Sequence, residues 1–129
     1  MKRANYLPAP HVYNLSMACM VIYDAFGHPP YLVGSSIEKR DYRDVDVRLI
    51  LPDDEYKQLF PDTTHTTHNA RWSIICSSIS LYLSQHSGLP VDFQIQAQTK
   101  ANAEFGDKPR HALGLYFVQA KENQQPSVL

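Results

Sequence analysis

The chain carries almost no net charge: 12 lysines and arginines face 13 aspartates and glutamates, leaving a formal −1 at neutral pH. That balance gives no reason to expect broad electrostatic attraction to nucleic acid, although a local basic cluster can still hold phosphate. Cysteine is scarce, with Cys19 and Cys76 alone in 129 residues. Both fall in apolar stretches that read as helices, so buried thiols in a reducing compartment are expected, not a disulfide or a metal pair. A long hydrophobic run is also missing. The run Met17–Tyr23 is too short to span a bilayer, and Asp24 interrupts it. Pro8 and Pro10, with no small-residue cleavage pattern nearby, argue against a signal peptide, and a cytoplasmic protein without a membrane partner is expected. Internal repeats and low-complexity segments are absent.

What is there describes one folded domain over residues 1–129. Hydrophobic residues make up 43% and charged residues 19%, proportions that support a packed core and exclude a disordered chain. Residues 1–10 read as extended. From His11 the positions Leu15, Ala18, Cys19, Ile22 and Phe26 repeat at helical spacing, and Gly27-His28-Pro29-Pro30 stops the helix. Tyr31–Val33 reads as a short strand ending in the small-residue turn Gly34-Ser35-Ser36, with a charged loop from Ile37 to Arg43. A strand over Asp44–Leu51 ends at Pro52, and a short helix with an acidic first turn follows to about Phe60. The longest helix is predicted over about 67–86, closed by Gly88-Leu89-Pro90. A further strand covers Val91–Gln96, a helical turn lies near Asn102–Phe105, and His111–Val118 offers a final strand. The fold expected is α+β, a small mixed sheet with helices packed on one side.

Chemistry concentrates on two strand faces. Strict alternation over Asp44–Leu49 sends Asp44, Asp46 and Arg48 to one face and Val45, Val47 and Leu49 to the other. In the later strand Asp92, Gln94 and Gln96 share one face, opposite Val91, Phe93 and Ile95. Neighbouring carboxylates repel, and each resists ionising unless a cation lies between them. Oxygen ligands without thiols or grouped imidazoles suit Mg²⁺ or Mn²⁺. If the two strands are neighbours, Asp44, Asp46 and Asp92 converge. Gly34 lets the backbone approach a ligand, while Ser35 and Ser36 add donors. Lys39, Arg40 and Arg43 are placed to neutralise phosphate, and Arg48 either binds phosphate or neutralises the carboxylates itself.

This pattern resembles the signature of the nucleotidyltransferase superfamily related to DNA polymerase beta. The resemblance rests on Gly34-Ser35, a spacer over 36–43, then Asp44-Val45-Asp46-Val47, with Val91-Asp92-Phe93 at the place of the third acidic residue, and it covers about residues 10–100. More narrowly, the chain is similar to small stand-alone nucleotidyltransferase-like proteins of bacteria and phages. The resemblance implies two divalent metal ions held by Asp44 and Asp46, with Asp92 on the second ion and helping to deprotonate an acceptor hydroxyl. Ser35 would hold a terminal phosphate, with Gly34 giving backbone access. The implied reaction transfers a nucleoside monophosphate from an NTP such as ATP to an unidentified acceptor (protein, RNA or small molecule), releasing pyrophosphate. So small a chain leaves the base and acceptor pockets to be completed by a partner protein or a homo-oligomer. The alternative is a nucleotide-binding or regulatory module without turnover, antitoxin-like or directed at a host protein.

Other residues carry less. His65 and His68, three apart, read as an exposed helix entry, since no further ligands accompany them. Tyr31 and Tyr42 are candidates to flank a base, with packing the more ordinary role. No Ser-His-Asp or Cys-His arrangement has support in the sequence.

Overall fold

A computed structural model describes residues 5–61 and 69–115. Helix α1 (Ala9–Phe26) begins two residues before the expected His11, with Pro10 in its first turn. Proline suits that position, because its missing N–H has no intrahelical partner there. Strand β1 (Tyr31–Val33) leads through Gly34 into a four-residue helix, α2 (Ser35–Glu38), where the sequence suggested only a turn and a loop. Strand β2 (Val45–Leu51) follows, then α3 (Asp53–Leu59) and the long α4 (Ala70–Ser87). Strand β3 (Val91–Ala97), α5 (Gln98–Phe105) and the two-residue β4 (His111–Ala112) complete the order. The proposed helix entry at His65 and His68 and the strand continuation through 116–118 lie outside the described residues.

The sheet is mixed, in the order β3-β2-β1-β4. β1 runs antiparallel to β2 and β4, whereas β2 and β3 are parallel and in register from Val45↔Val91 to Leu51↔Ala97. The domain is therefore α+β with a four-stranded mixed sheet against several helices. Alternation decides the two faces: Val45, Val47, Leu49, Leu51, Val91, Phe93 and Ile95 are buried, while Asp46, Arg48, Asp92, Gln94 and Gln96 are half-exposed. The apolar face packs with Leu15, Cys19 and Ile22 of α1, Tyr56 of α3, Phe60 just beyond it, and Cys76 and Leu83 of α4. Each fully buried aliphatic or phenyl side chain contributes about 1.5–3 kcal/mol relative to exposure, so this cluster holds the polar face of β2 and β3 in place. No helix among the described residues is long and apolar enough to cross a membrane.

Candidate nucleotide and metal site

Parallel pairing places Asp46 directly opposite Asp92, and antiparallel pairing places Asp46 opposite Val33, the residue before Gly34. Asp46 is thus the centre of the polar face, between the β1 turn and β3. Gly34 has φ 83° and ψ −158°, a region essentially restricted to glycine. A Cβ there would collide with Oδ2 of Asp46 and lie 3.2 Å from its Cγ. The backbone that leaves β1 therefore passes against this carboxylate.

An open cleft of about 400 Å³ lies beside this point, lined by Ser35, Lys39, Asp41, Arg43, Asp44 and Asp46. Asp44 sits just before β2 and is exposed, whereas Asp46 lies within the strand and is half-buried. Asp44 and Asp46, with Lys39 and Arg43 around the same small open space, can hold a divalent cation and polyphosphate together. Asp41 also lines the cleft. Sequence reasoning did not single it out, because nothing distinguishes it from the other charges of its loop.

The remaining candidates are dispersed. Ser36 is fully buried; its carbonyl accepts the Tyr6 N–H at 2.8 Å, and its hydroxyl has no hydrogen-bond partner among the described residues. It does not line the cleft. The guanidinium of Arg40 stacks 5.9 Å from the Tyr6 ring centroid, away from the cleft lining. Tyr42 packs against the core cluster and Tyr31 lies half-buried on β1.

Arg48 occupies the ground between the strands. Its Nη1 donates to the main-chain carbonyls of Asp92 at 2.7 Å and Val47 at 3.1 Å. Its Nη2 lies 3.3 Å from Oδ2 of Asp92 and 3.7 Å from Oδ1 of Asp46. Burial pushes the Asp46 carboxyl above its ordinary value. Arg48 opposes that shift, while the charges of Asp92 and Asp44 add to it. Among the described residues, no three Asp, Glu, His or Cys side chains are grouped so as to hold a metal ion. The donor set fits a divalent cation in part: Asp44 and Asp46 present hard oxygens to the cleft, whereas Asp92 is engaged by Arg48.

No family model matches the chain, and neither does any curated protein or solved structure.

Proposed function

We propose that this chain is a minimal domain of the nucleotidyltransferase superfamily. It binds a nucleoside triphosphate with Mg²⁺ or Mn²⁺ and transfers the nucleoside monophosphate to an acceptor hydroxyl. The observation that supports this reading is the cleft itself, in which Ser35, Lys39, Arg43, Asp44 and Asp46 meet beside a glycine whose positive φ and contact with Asp46 make a side chain there strained. Those residues lie on one stretch from α2 through its loop to the start of β2, which folds back along β1 by β1–β2 pairing.

Each part has a distinct role. Ser35 donates to a terminal phosphate, and Gly34 leaves the room a side chain would fill. Lys39 and Arg43 neutralise phosphate oxygens. Asp44 and Asp46 hold the divalent cation, which when bound offsets phosphate charge and fixes the triphosphate for in-line displacement. The acceptor hydroxyl gives its proton to solvent as its oxygen forms a bond to the α-phosphorus, the bond from that phosphorus to the β-phosphate oxygen breaks, and pyrophosphate leaves with the electron pair. The test is incubation with α-phosphate-labelled NTPs and Mg²⁺ or Mn²⁺ in the presence of cell lysate. Label should pass to a discrete species and be lost in the Asp44→Ala, Asp46→Ala double variant. Absence of both transfer and nucleotide binding would mean that the aspartate face is only a solvated strand.

A second reading, a nucleotide-binding module without turnover, is favoured by one observation: Arg48 contacts the carboxylates of both Asp46 and Asp92. Metal-dependent nucleotide binding with no transfer to any acceptor would select it.

A further inference from the structure

We propose that Arg48 is the resident second cation of this site: the chain binds its nucleotide with one divalent ion, on Asp44 and Asp46, and Asp92 serves Arg48 instead of a metal. The inference rests on the nucleotide-binding reading above and puts one ion and a guanidinium in place of the two ions that the sequence resemblance implies.

Register explains how the arginine comes to lie there. Arg48 is two residues beyond Asp46 on the same face of β2, and Asp92 lies across from Asp46 on β3. One side chain on that diagonal reaches both carboxylates. The planar fork of arginine is needed for the rest, since Nη1 meets two main-chain carbonyls while Nη2 meets the acids. A lysine ammonium is a compact point charge and does not spread over four partners in this way.

Main-chain anchoring is what makes the guanidinium resident. The carbonyls of Val47 and Asp92 belong to the β2–β3 ladder and cannot turn away without breaking it. The Arg48 side chain is only 14% exposed, so leaving these contacts would strip a largely dehydrated cation of its hydrogen bonds. The Asp92 carboxylate is turned to the same guanidinium that its own carbonyl holds. A second divalent ion on Asp92 would have to sit beside that positive charge and share its carboxylate. The cleft lining agrees, because it includes Asp44 and Asp46 but not Asp92.

The experiment counts Mn²⁺ by electron paramagnetic resonance, with ATP, GTP, CTP and UTP supplied in turn. Wild type should retain one Mn²⁺ per chain with the nucleotide that binds, and Arg48→Gln, confirmed as folded by circular dichroism, should retain two. Asp92→Asn keeps an oxygen for the guanidinium and should retain one Mn²⁺ per chain, as wild type does. Two ions in wild type, a single ion in folded Arg48→Gln, or no retained ion in Asp92→Asn would overturn the inference and leave nucleotide binding standing. Should Arg48→Gln not fold, Asp92→Asn decides. If no nucleotide retains Mn²⁺ on wild type, the nucleotide-binding reading falls, and the inference with it.

Discussion

The hydroxyl of Ser80 on α4 grips Phe93 of β3 from both sides, accepting its main-chain N–H at 2.8 Å and donating to its carbonyl at 3.3 Å. β3 is an edge of the sheet, and its outward N–H and C=O groups would otherwise need water or another strand. Neighbouring side chains on α4 repeat the device. Ser84 accepts from the Val91 N–H at 2.9 Å, Trp72 Nε1 donates to the Ile95 carbonyl at 2.9 Å, and Cys76 faces the Ile95 main chain. A spacing of four helical residues advances about 6 Å, close to the advance of about 6.6 Å over two strand residues, so helix and strand stay in step.

Ser80→Ala should therefore destabilise the domain by about 1–3 kcal/mol, the cost of leaving a buried N–H without a partner. Chemical denaturation should show a lower midpoint with an unchanged slope, since the surface exposed on unfolding is the same. An unchanged midpoint would show that water reaches this edge and that α4 is not its cover.

Gly34→Ala should damage fold and site together. The substitution forces a residue with a side chain into a conformation costing about 1–3 kcal/mol, and its Cβ meets the Asp46 carboxylate. Thermal denaturation should register the first effect and Mn²⁺ retention the second. A variant that melts lower yet binds Mn²⁺ with nucleotide as wild type does would separate the turn from the site.

Part of this arrangement was visible in the residues alone, and the reasons differ from element to element. Alternation over Asp44–Leu49 is steric and local, so the buried and polar faces of β2 follow from it directly. The ends of α1 and α4 at Gly27 and Gly88 were equally readable. The α2 turn was not, because four residues have too little propensity to announce a helix. Its Ser36 carbonyl is tied to the Tyr6 N–H from a distant segment. The start of α5 at Gln98 was hidden for a similar reason: its capping acid, Asp53, lies 46 residues before the Thr99 whose N–H it accepts. For Arg48 the sequence gives the face but not the partner. Only the β2–β3 register aims it at Asp92.

Asp53 also gives the fold a pH dependence with a defined sign. Its carboxylate accepts from both the hydroxyl and the N–H of Thr99, in the first turn of α5. Those hydrogen bonds, the hydroxyl's first, hold the carboxyl below its ordinary value of 3.8. A depressed folded-state pKa means that the contribution is fully present above the unfolded value and is lost as pH falls through the folded one. The stability of wild type relative to Asp53→Ala should be constant above about pH 5 and shrink as the pH drops below about 4. Urea titrations of both proteins across that range measure it, and a difference that grows toward acid would refute the capping role.

The two thiols report on whether the helices stay seated. Cys19 is fully buried and Cys76 nearly so, and burial pushes their pKa values up to about 12 and about 11. At pH 8 the thiolate fraction of both is then far below that of an ordinary thiol. Because the thiolate is the attacking species and neither sulfur is accessible, a thiol-exchange reagent should leave both untouched in the native protein and modify both after denaturation. Residual native labelling should then proceed at the rate of structural opening, and Ser80→Ala should accelerate it at Cys76, one helical turn away on the same face of α4, more than at Cys19 on α1. Peptide mapping of the modified sites distinguishes the two. Equal acceleration at both would mean that α1 and α4 come away as one unit, and fast labelling of Cys76 in wild type would show that the edge of β3 is open in solution.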